Sequence, residues 1–336
     1  MAPTVPLFVG LDYSQKGVPV CVLDATGRVL SNQNLSDNAA GIAAHVYRHG
    51  AVRGCALAAC CGAADLAEEL VERHGWPVPL AHPAFVSRLK QSPDKTAFSD
   101  ARVLADLERV GYLPRVWITP KARRDLRTLV RERQSLVNQR RARKLQSGAF
   151  LGEHRQRCGH GCWTKAWLHW REHQAHLPEQ TRWVLEQRLR RLGVLGQEIQ
   201  RVEARLATLT NDDQMVQWLD GLKGIGPVTA WTLRAEVGRF DRFRIGKQLA
   251  CYCGLSPCNR SSGDKQADAG LIRAANSELR RVWIEAAWGL INHDPRWRAF
   301  AQRLAQRGKP RSVISAAVAN RFVRWLWHQG MQQPAA

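Results

Sequence analysis

The chain has 336 residues, of which 50 are Lys or Arg and 29 are Asp or Glu, giving a formal net charge of +21 at pH 7. An excess of this size predicts a polyanionic partner, and nucleic acid is the usual one. We expect no membrane span and no signal peptide, because no apolar run reaches about 18 residues and the first residues lack a charged n-region.

The first third of the chain alternates short apolar runs with helical patterns. Strands are predicted at 6–11, in a hairpin over 18–30 with its turn at 24–27, at 54–59 and at 78–83; helices are predicted at 36–50, 62–75 and 97–107. The order β-β-β-α-β-α-β-α predicts a mixed α/β domain over residues 1–115.

Residues 116–212 are predicted to form a basic helical or coiled-coil domain. The stretch 121–145 holds ten Lys or Arg against two acids, and Arg127, Arg131, Arg140 and Arg141 are its candidate nucleic-acid contacts. Leucine, isoleucine and valine recur at helical spacing from Leu185 to Leu206, a seam that suits an antiparallel hairpin or a coiled-coil dimer.

The cysteines indicate reduced thiols rather than a disulfide framework, because there are nine of them at irregular spacing. His154, Cys158, His160 and Cys162 form a weak candidate zinc group without an obvious second pair. The three tryptophans at 163, 167 and 170 favour local packing over a base-stacking platform.

Residues 213–336 are predicted to be mainly helical. Gly224-Ile225-Gly226 separates two helical patterns, as in a helix-hairpin-helix motif, in which Lys223 and the backbone amides near Gly224 and Gly226 contact a phosphate. A plain turn between two helices is the alternative. The polar stretch "NRSSGDK" that follows reads as a turn.

Two carboxylates stand out in the first domain. Asp12 ends the first strand, on the face opposite Leu7, Val9 and Leu11, and Asp100 lies on the helix stripe that also carries Ala97, Leu104 and Leu107. An acid in the first turn of a helix is favoured by the helix dipole alone. Carboxylates at a strand end and on a helix over the same sheet would instead hold Mg²⁺ for phosphodiester exchange.

Several segments in this order resemble one family across nearly the whole chain: "FVGLDYS", "LAACCGAADLAEEL", "DKTAFSDARVLADL", "LKGIGPVTAWTL" and "GLSPCNRSSGDK". They are similar to bacterial insertion-sequence transposases with an N-terminal RuvC-like (ribonuclease-H-type) domain bearing a DEDD acid set and a C-terminal domain with a serine nucleophile. These are the bridge-RNA-guided recombinases, and the Piv-type DNA invertase is a relative.

The resemblance implies that Asp12 and Asp100 are the first and last acids of the set. Alanine stands where the second and third acids are expected, at Ala58 and Ala97. Both changes remove a carboxylate and leave the flanking sequence family-like, which favours deliberate inactivation; a naturally inactive relative is the alternative. We expect no rescue by Asp65, Glu68 and Glu69, because they belong to another helix.

The resemblance also implies the rest of the machinery. Ser262 matches the nucleophile, with Ser261 as the second choice, and candidate phosphate contacts surround it at Arg260, Lys265, Arg273, Arg280 and Arg281. The implied protein is a transposase of the bacterial cytoplasm, associated with the nucleoid, using Mg²⁺ and acting as a homodimer or homotetramer on donor and target DNA with a guide noncoding RNA. A protein-only invertase and a naturally inactive nucleic-acid-binding protein are the alternatives.

Overall fold

The structure is a computed structural model that describes residues 6–14, 16–89, 97–259, 268–273 and 275–333. The chain forms two compact units, Met1–Pro120 and Lys121–Ala336. No described helix is long and apolar enough to cross a membrane.

The first unit is built on a six-stranded sheet. Its strands are β1 (Pro6–Leu11), β2 (Val18–Leu23), β3 (Val29–Leu35), β4 (Ala51–Ala58), β5 (Leu80–Ala81) and β6 (Arg115–Val116). They lie in the order β3-β2-β1-β4-β5-β6. Strands β1, β4 and β5 run parallel, whereas β2, β3 and β6 are antiparallel to their neighbours. This mixed sheet is consistent with the predicted RuvC-like domain.

Helices cover both faces of the sheet: α1 (Ala39–Tyr47), α2 (Ala63–His74), α3 (Pro83–Leu89) and α4 (Ala97–Arg109). Helices α1 and α2 bury Ile42 and Leu66 against the side chains of Leu7, Val9 and Leu11. Helix α4 packs on the opposite face through small residues such as Ala101 and Ala105. The sequence did not predict α3, which has no buried residue to form an apolar stripe, or the two-residue strand β6.

The second unit begins with a long antiparallel pair of helices, α5 (Lys121–Glu153) and α7 (Glu179–Leu209), with the short helix α6 (Lys165–His173) between them. Leu136 of α5 packs on Leu195 and Ile199 of α7, and farther along α5 Leu151 packs on Leu185. The leucine seam of α7 therefore pairs within the chain, so of the two predicted arrangements the structure has the antiparallel hairpin. Trp167 is buried in the cluster between the two helices.

The remaining elements of this unit are α8 (Gln214–Asp220), α9 (Pro227–Glu236), α10 (Gly246–Tyr252), β7 (Pro257–Asn259), β8 (Asp268–Leu271), α11 (Ser277–His293), α12 (Pro295–Gln306) and α13 (Arg311–Gly330). Their core is centred on Trp283 and Phe322, which meet edge to face at 5.7 Å. Leu126 and Val130 of α5 and Leu206 of α7 belong to the same core. The predicted boundary between residues 212 and 213 therefore falls inside one compact unit.

Candidate active site

The ends of β1 and β4 bring Asp12 and Ala58 to neighbouring positions. The two strands are parallel and Leu11, the last residue of β1, is paired with Leu57 of β4, so that Asp12 and Ala58, the last residue of β4, each follow one residue later. Side chains alternate along a strand. Because Leu7, Val9 and Leu11 face α1 and α2, the same alternation assigns position 12 to the α4 side of the sheet.

Gly10 lets the backbone of α4 lie directly on β1. A Cβ atom at Gly10 would be 1.9 Å from the carbonyl oxygen of Ala101 and 2.6 Å from the amide nitrogen of Ala105. Both are backbone atoms that no side-chain rotation can move. The first turns of α4 are therefore held against the carboxyl-terminal half of β1, close in sequence to Asp12.

The loops that follow β1 and β4 are joined to each other through Tyr13. The Cys60 thiol donates a hydrogen bond to the Tyr13 carbonyl at 3.5 Å, and Gly62 lies under the tyrosine ring, where a Cβ atom would be 2.7 Å from a ring carbon. Burial raises the pKa of the Cys60 thiol, and the neighbouring charges of Asp12 and Cys61 raise it further. Asp12 thus stands beside a thiol that stays protonated.

Helix α4 carries the other two positions of the predicted acid set. Ala97 is its first residue, and Asp100, which is half-buried, lies in its first turn. One and two turns farther along, Leu104 and Leu107 belong to the same apolar cluster as Ala58 of β4. Positions 12, 58 and 100 therefore belong to elements that meet on one face of the sheet, and two of the four predicted acid positions are occupied by alanine.

The donor set does not fit a site for a pair of divalent ions. Hard cations of this kind need several carboxylate or carbonyl oxygens, whereas the described residues contain no group of three or more His, Cys, Asp or Glu that could hold a metal. Asp65, Glu68 and Glu69 are carried by α2, which covers the other face of the sheet. The same finding applies to His154, Cys158, His160 and Cys162, the weak zinc candidates, which form no such group in the part of the chain that the structure describes.

In the second unit, the turn at 221–226 joins α8 to α9. Gly224 has a φ of +83°, and a Cβ atom there would meet the Leu290 side chain at 2.7 Å, so this glycine is needed to pack the turn on α11. Gly226 precedes Pro227, the first residue of α9, and has open space around it, and Lys223 is exposed. The arrangement is a hairpin of two helices; its contact with DNA stays a prediction.

Several of the candidate arginines have partners inside the fold. Glu236 is 3% exposed and accepts hydrogen bonds from Arg131 at 2.9 Å and from Asn276 at 2.9 Å, and it pairs with Arg127 at 3.4 Å. Arg281 pairs with Glu278 and Glu285 of its own helix. These contacts give the arginines a structural role, and contact with nucleic acid by them stays a prediction.

Arg280 ties a loop to a helix, because it donates hydrogen bonds to the carbonyls of Gly254 and Ile272. Arg273 is exposed between β8 and α11. Arg140 is half-buried on α5 and Arg141 is exposed, and among the described residues neither forms an ion pair. Ser262, Ser261, Arg260 and Lys265 lie outside the described residues.

Sequence reasoning missed two residues on which this geometry depends. A glycine inside a strand often marks a close backbone approach, so Gly10 carried a signal that could have been used. Glu236 carried no such signal, because its partners Arg131 and Asn276 lie 105 and 40 residues away from it in the sequence.

Two segments of the chain match transposase family models. Residues 9–155 match the transposase model of the DEDD type named for IS110, and residues 216–302 match the model for the transposase IS116/IS110/IS902 family. The chain carries both transposase domains of the IS110 family and is an insertion-sequence transposase of that family.

Individual relatives agree with this assignment. The chain is 28% identical to the protein y4qE of Sinorhizobium fredii, over 77% of this chain and 70% of the relative. It is 23% identical to the transposase for insertion sequence element IS1111A of Coxiella burnetii, over 94% of this chain and 88% of the relative. It is 29% identical to the pilin gene-inverting protein of Moraxella bovis, over 30% of this chain and 32% of the relative.

Proposed function

We propose that this chain is a DNA recombinase of an insertion sequence that binds its nucleic acids but is catalytically silent. One observation carries the proposal: β1 and β4 are adjacent strands, and α4 packs on the same face of both. These elements carry carboxylates at positions 12 and 100 but an alanine at position 58. The resemblance implies an acid at that alanine and another at Ala97. A DEDD domain depends on divalent metal, and two carboxylates are too few to hold the two metal ions that such chemistry needs.

The strand exchange of the intact family member would run through Ser262. A serine hydroxyl becomes a nucleophile when its proton is removed and the charge of the attacked phosphate is neutralised. Arg260, Lys265 and Arg273 would supply positive charge there. The support for this assignment is the resemblance of the "NRSSG" stretch, together with the match of the surrounding residues 216–302 to a transposase model.

A structured noncoding RNA is proposed to direct the choice of DNA, with Mg²⁺ as the metal of the active form and a homodimer or homotetramer as the assembly. The support is the net charge of +21 and the exposed basic surface of α5.

A protein-only invertase is the second candidate, favoured by the similarity to the pilin gene-inverting protein. One discrete RNA that co-purifies and is removed by RNase supports the guided form; its absence supports the invertase.

Restoring the two acids tests the silencing. A plasmid would carry the coding region with its natural flanking DNA, and newly joined DNA ends would be counted by sequencing. We expect no junctions above background from the chain as it stands, and junctions from the double variant Ala58→Glu with Ala97→Asp. Restored carboxylates would complete the oxygen ligands of the metal.

The matched control is the double variant Ala58→Gln with Ala97→Asn, which has nearly the same shape without the charges. It should remain silent. Junctions from the unchanged chain at the level of the restored chain would refute the silencing. A restored chain that is folded and bound to DNA, yet still forms no junctions, would favour a binding protein without recombinase activity.

A further inference from the structure

A cavity of about 770 Å³ lies in the second unit, outside the elements that carry Asp12 and Asp100. Its main wall is α13, and α12 and the feet of the β7–β8 hairpin, Pro257 and Leu271, complete it. Its volume is in the range of about 300–1,000 Å³ typical of sites for small ligands. The wall formed by α13 lies beyond residues 216–302, the segment that matches the family model.

The lining is cationic. Arg296, Arg321, Arg324 and His328 line the cavity, and none of its described lining residues is an acid. Within the described part of the chain, none of the three arginines forms an ion pair with a carboxylate. Since guanidinium groups without carboxylate partners among the described residues gather around one concave space, an anionic ligand fits it best.

Two aromatic rings line the same space. Trp325 is half-buried and stacks on the buried ring of Phe322, with the centroids 5.4 Å apart and the planes at 13°. This contact holds the indole in place. Phe300 is also half-buried, and the guanidinium of Arg321 lies 4.9 Å from the centroid of its ring. The cavity therefore offers aromatic rings next to positive charge.

We propose that this cavity binds one unpaired nucleotide of a single-stranded nucleic acid. Its base would stack on an aromatic ring and its phosphate would be held by Arg321 and Arg324, a combination found in proteins that bind single strands. A paired base would not fit, because the base pairs stacked on either side of it would have to follow it into the same concave space. The proposal rests on the proposed function, since strand exchange and guide pairing both involve unpaired nucleotides.

The test compares two pairs of arginines. The double variant Arg321→Gln with Arg324→Gln removes two charges from the cavity. The double variant Arg307→Gln with Arg311→Gln removes two charges from exposed positions at the end of α12 and the start of α13, outside the lining. Fluorescence anisotropy would measure the binding of labelled oligo(dT), oligo(rU) and a fully paired DNA hairpin, and circular dichroism would confirm that each variant is folded.

We expect the cavity pair to weaken single-strand binding about tenfold or more and duplex binding no more than about twofold. The control pair should weaken both probes by about the same small factor, through general charge. Phe300→Leu should reduce single-strand binding by about fivefold or more at unchanged charge, because stacking is worth about 1–3 kcal/mol per base. Loss on oligo(dT) alone would assign the nucleotide to DNA, and loss on oligo(rU) alone would assign it to RNA; either supports the proposal.

Equal losses on single-stranded and duplex probes would overturn the proposal, as would equal losses from the two arginine pairs. The proposal would also be overturned if Phe300→Leu left the affinity for single strands unchanged and an acidic peptide displaced the probe. The site would then recognise charge alone. If the unchanged chain binds the duplex and the cavity variants do not weaken single-strand binding selectively, only the proposal for the cavity is rejected. Failure of the unchanged chain to bind any probe rejects the proposed function itself.

Discussion

Gly10 has a larger structural role than its size suggests, because it is where β1 and α4 touch backbone to backbone. Gly10→Ala would place a Cβ atom 1.9 Å from the Ala101 carbonyl oxygen, so that the helix must move off the strand. Overpacking of this kind costs about 1–3 kcal/mol, and rigid backbone neighbours favour the upper end. We expect the free energy of unfolding, measured in urea, to fall by about 3 kcal/mol.

Gly41→Ala is the matched control in the same unit. Gly41 is exposed in α1, and the nearest atom to an added Cβ would be 3.8 Å away, an ordinary contact. Replacing a helical glycine by alanine should stabilise the protein by about 0.5–1 kcal/mol. If Gly10→Ala proved as harmless as Gly41→Ala, the close approach of α4 to β1 would be wrong.

The alternation of apolar residues along β1 was enough to predict which face of the sheet Asp12 occupies. The proximity of Ala58 could not be predicted from spacing alone, because it depends on the pairing of Leu11 with Leu57 across 46 residues of chain. Only the resemblance pointed to position 58. The thiol of Cys60 beside Asp12 had no signal in the sequence at all.

Helix α5 shows that one basic helix can hold arginines of two kinds. The sequence predicted nucleic-acid contact for Arg127, Arg131, Arg140 and Arg141 alike, since all four lie on the same charged helix. The structure separates them: Arg127 and Arg131 bind the buried Glu236, whereas Arg141 is exposed without an ion pair among the described residues. The difference depends on α9, which no local pattern connects to α5.

The two kinds of arginine should respond differently to truncation. Arg127 also donates to the Ala235 carbonyl at 3.1 Å, so Arg127→Ala leaves Glu236 with one partner fewer and should lower the free energy of unfolding by about 3 kcal/mol. Arg141→Ala should change that free energy by less than about 0.5 kcal/mol, while reducing the salt dependence of nucleic-acid binding by about one counterion. Urea unfolding and binding at several salt concentrations measure the two effects; equal destabilisation by the two variants would contradict the distinction.

At the scale of the whole molecule, the order of strands and helices in the first unit was predictable because each buried element has its own apolar run. The antiparallel pairing of α5 with α7 was one of two predicted arrangements. The structure shows it in the contacts of Leu136 and Leu151 of α5 with the leucine seam of α7. The union of the helical pair with the C-terminal helices was not predictable. It depends on Leu126, Val130 and Leu206 entering a core whose other members lie beyond residue 212.

The central claim, that two missing carboxylates silence this transposase, is tested most directly by the uptake of a divalent ion. Mn²⁺ would be titrated into the purified protein, and the free ion followed by electron paramagnetic resonance. Changing single groups behind the metal ligands already costs about 10–100-fold in affinity. We therefore expect the double variant Ala58→Glu with Ala97→Asp to bind Mn²⁺ at least about 100-fold more tightly than the unchanged chain.

Asp12→Asn in the restored chain should abolish this gain, because the ion would lose the ligand at the end of β1. If the restored chain takes up Mn²⁺ and Asp12→Asn abolishes that uptake, the divalent-metal site lies at the carboxyl ends of β1 and β4. Equal affinity of the unchanged and restored chains for Mn²⁺ would contradict the account.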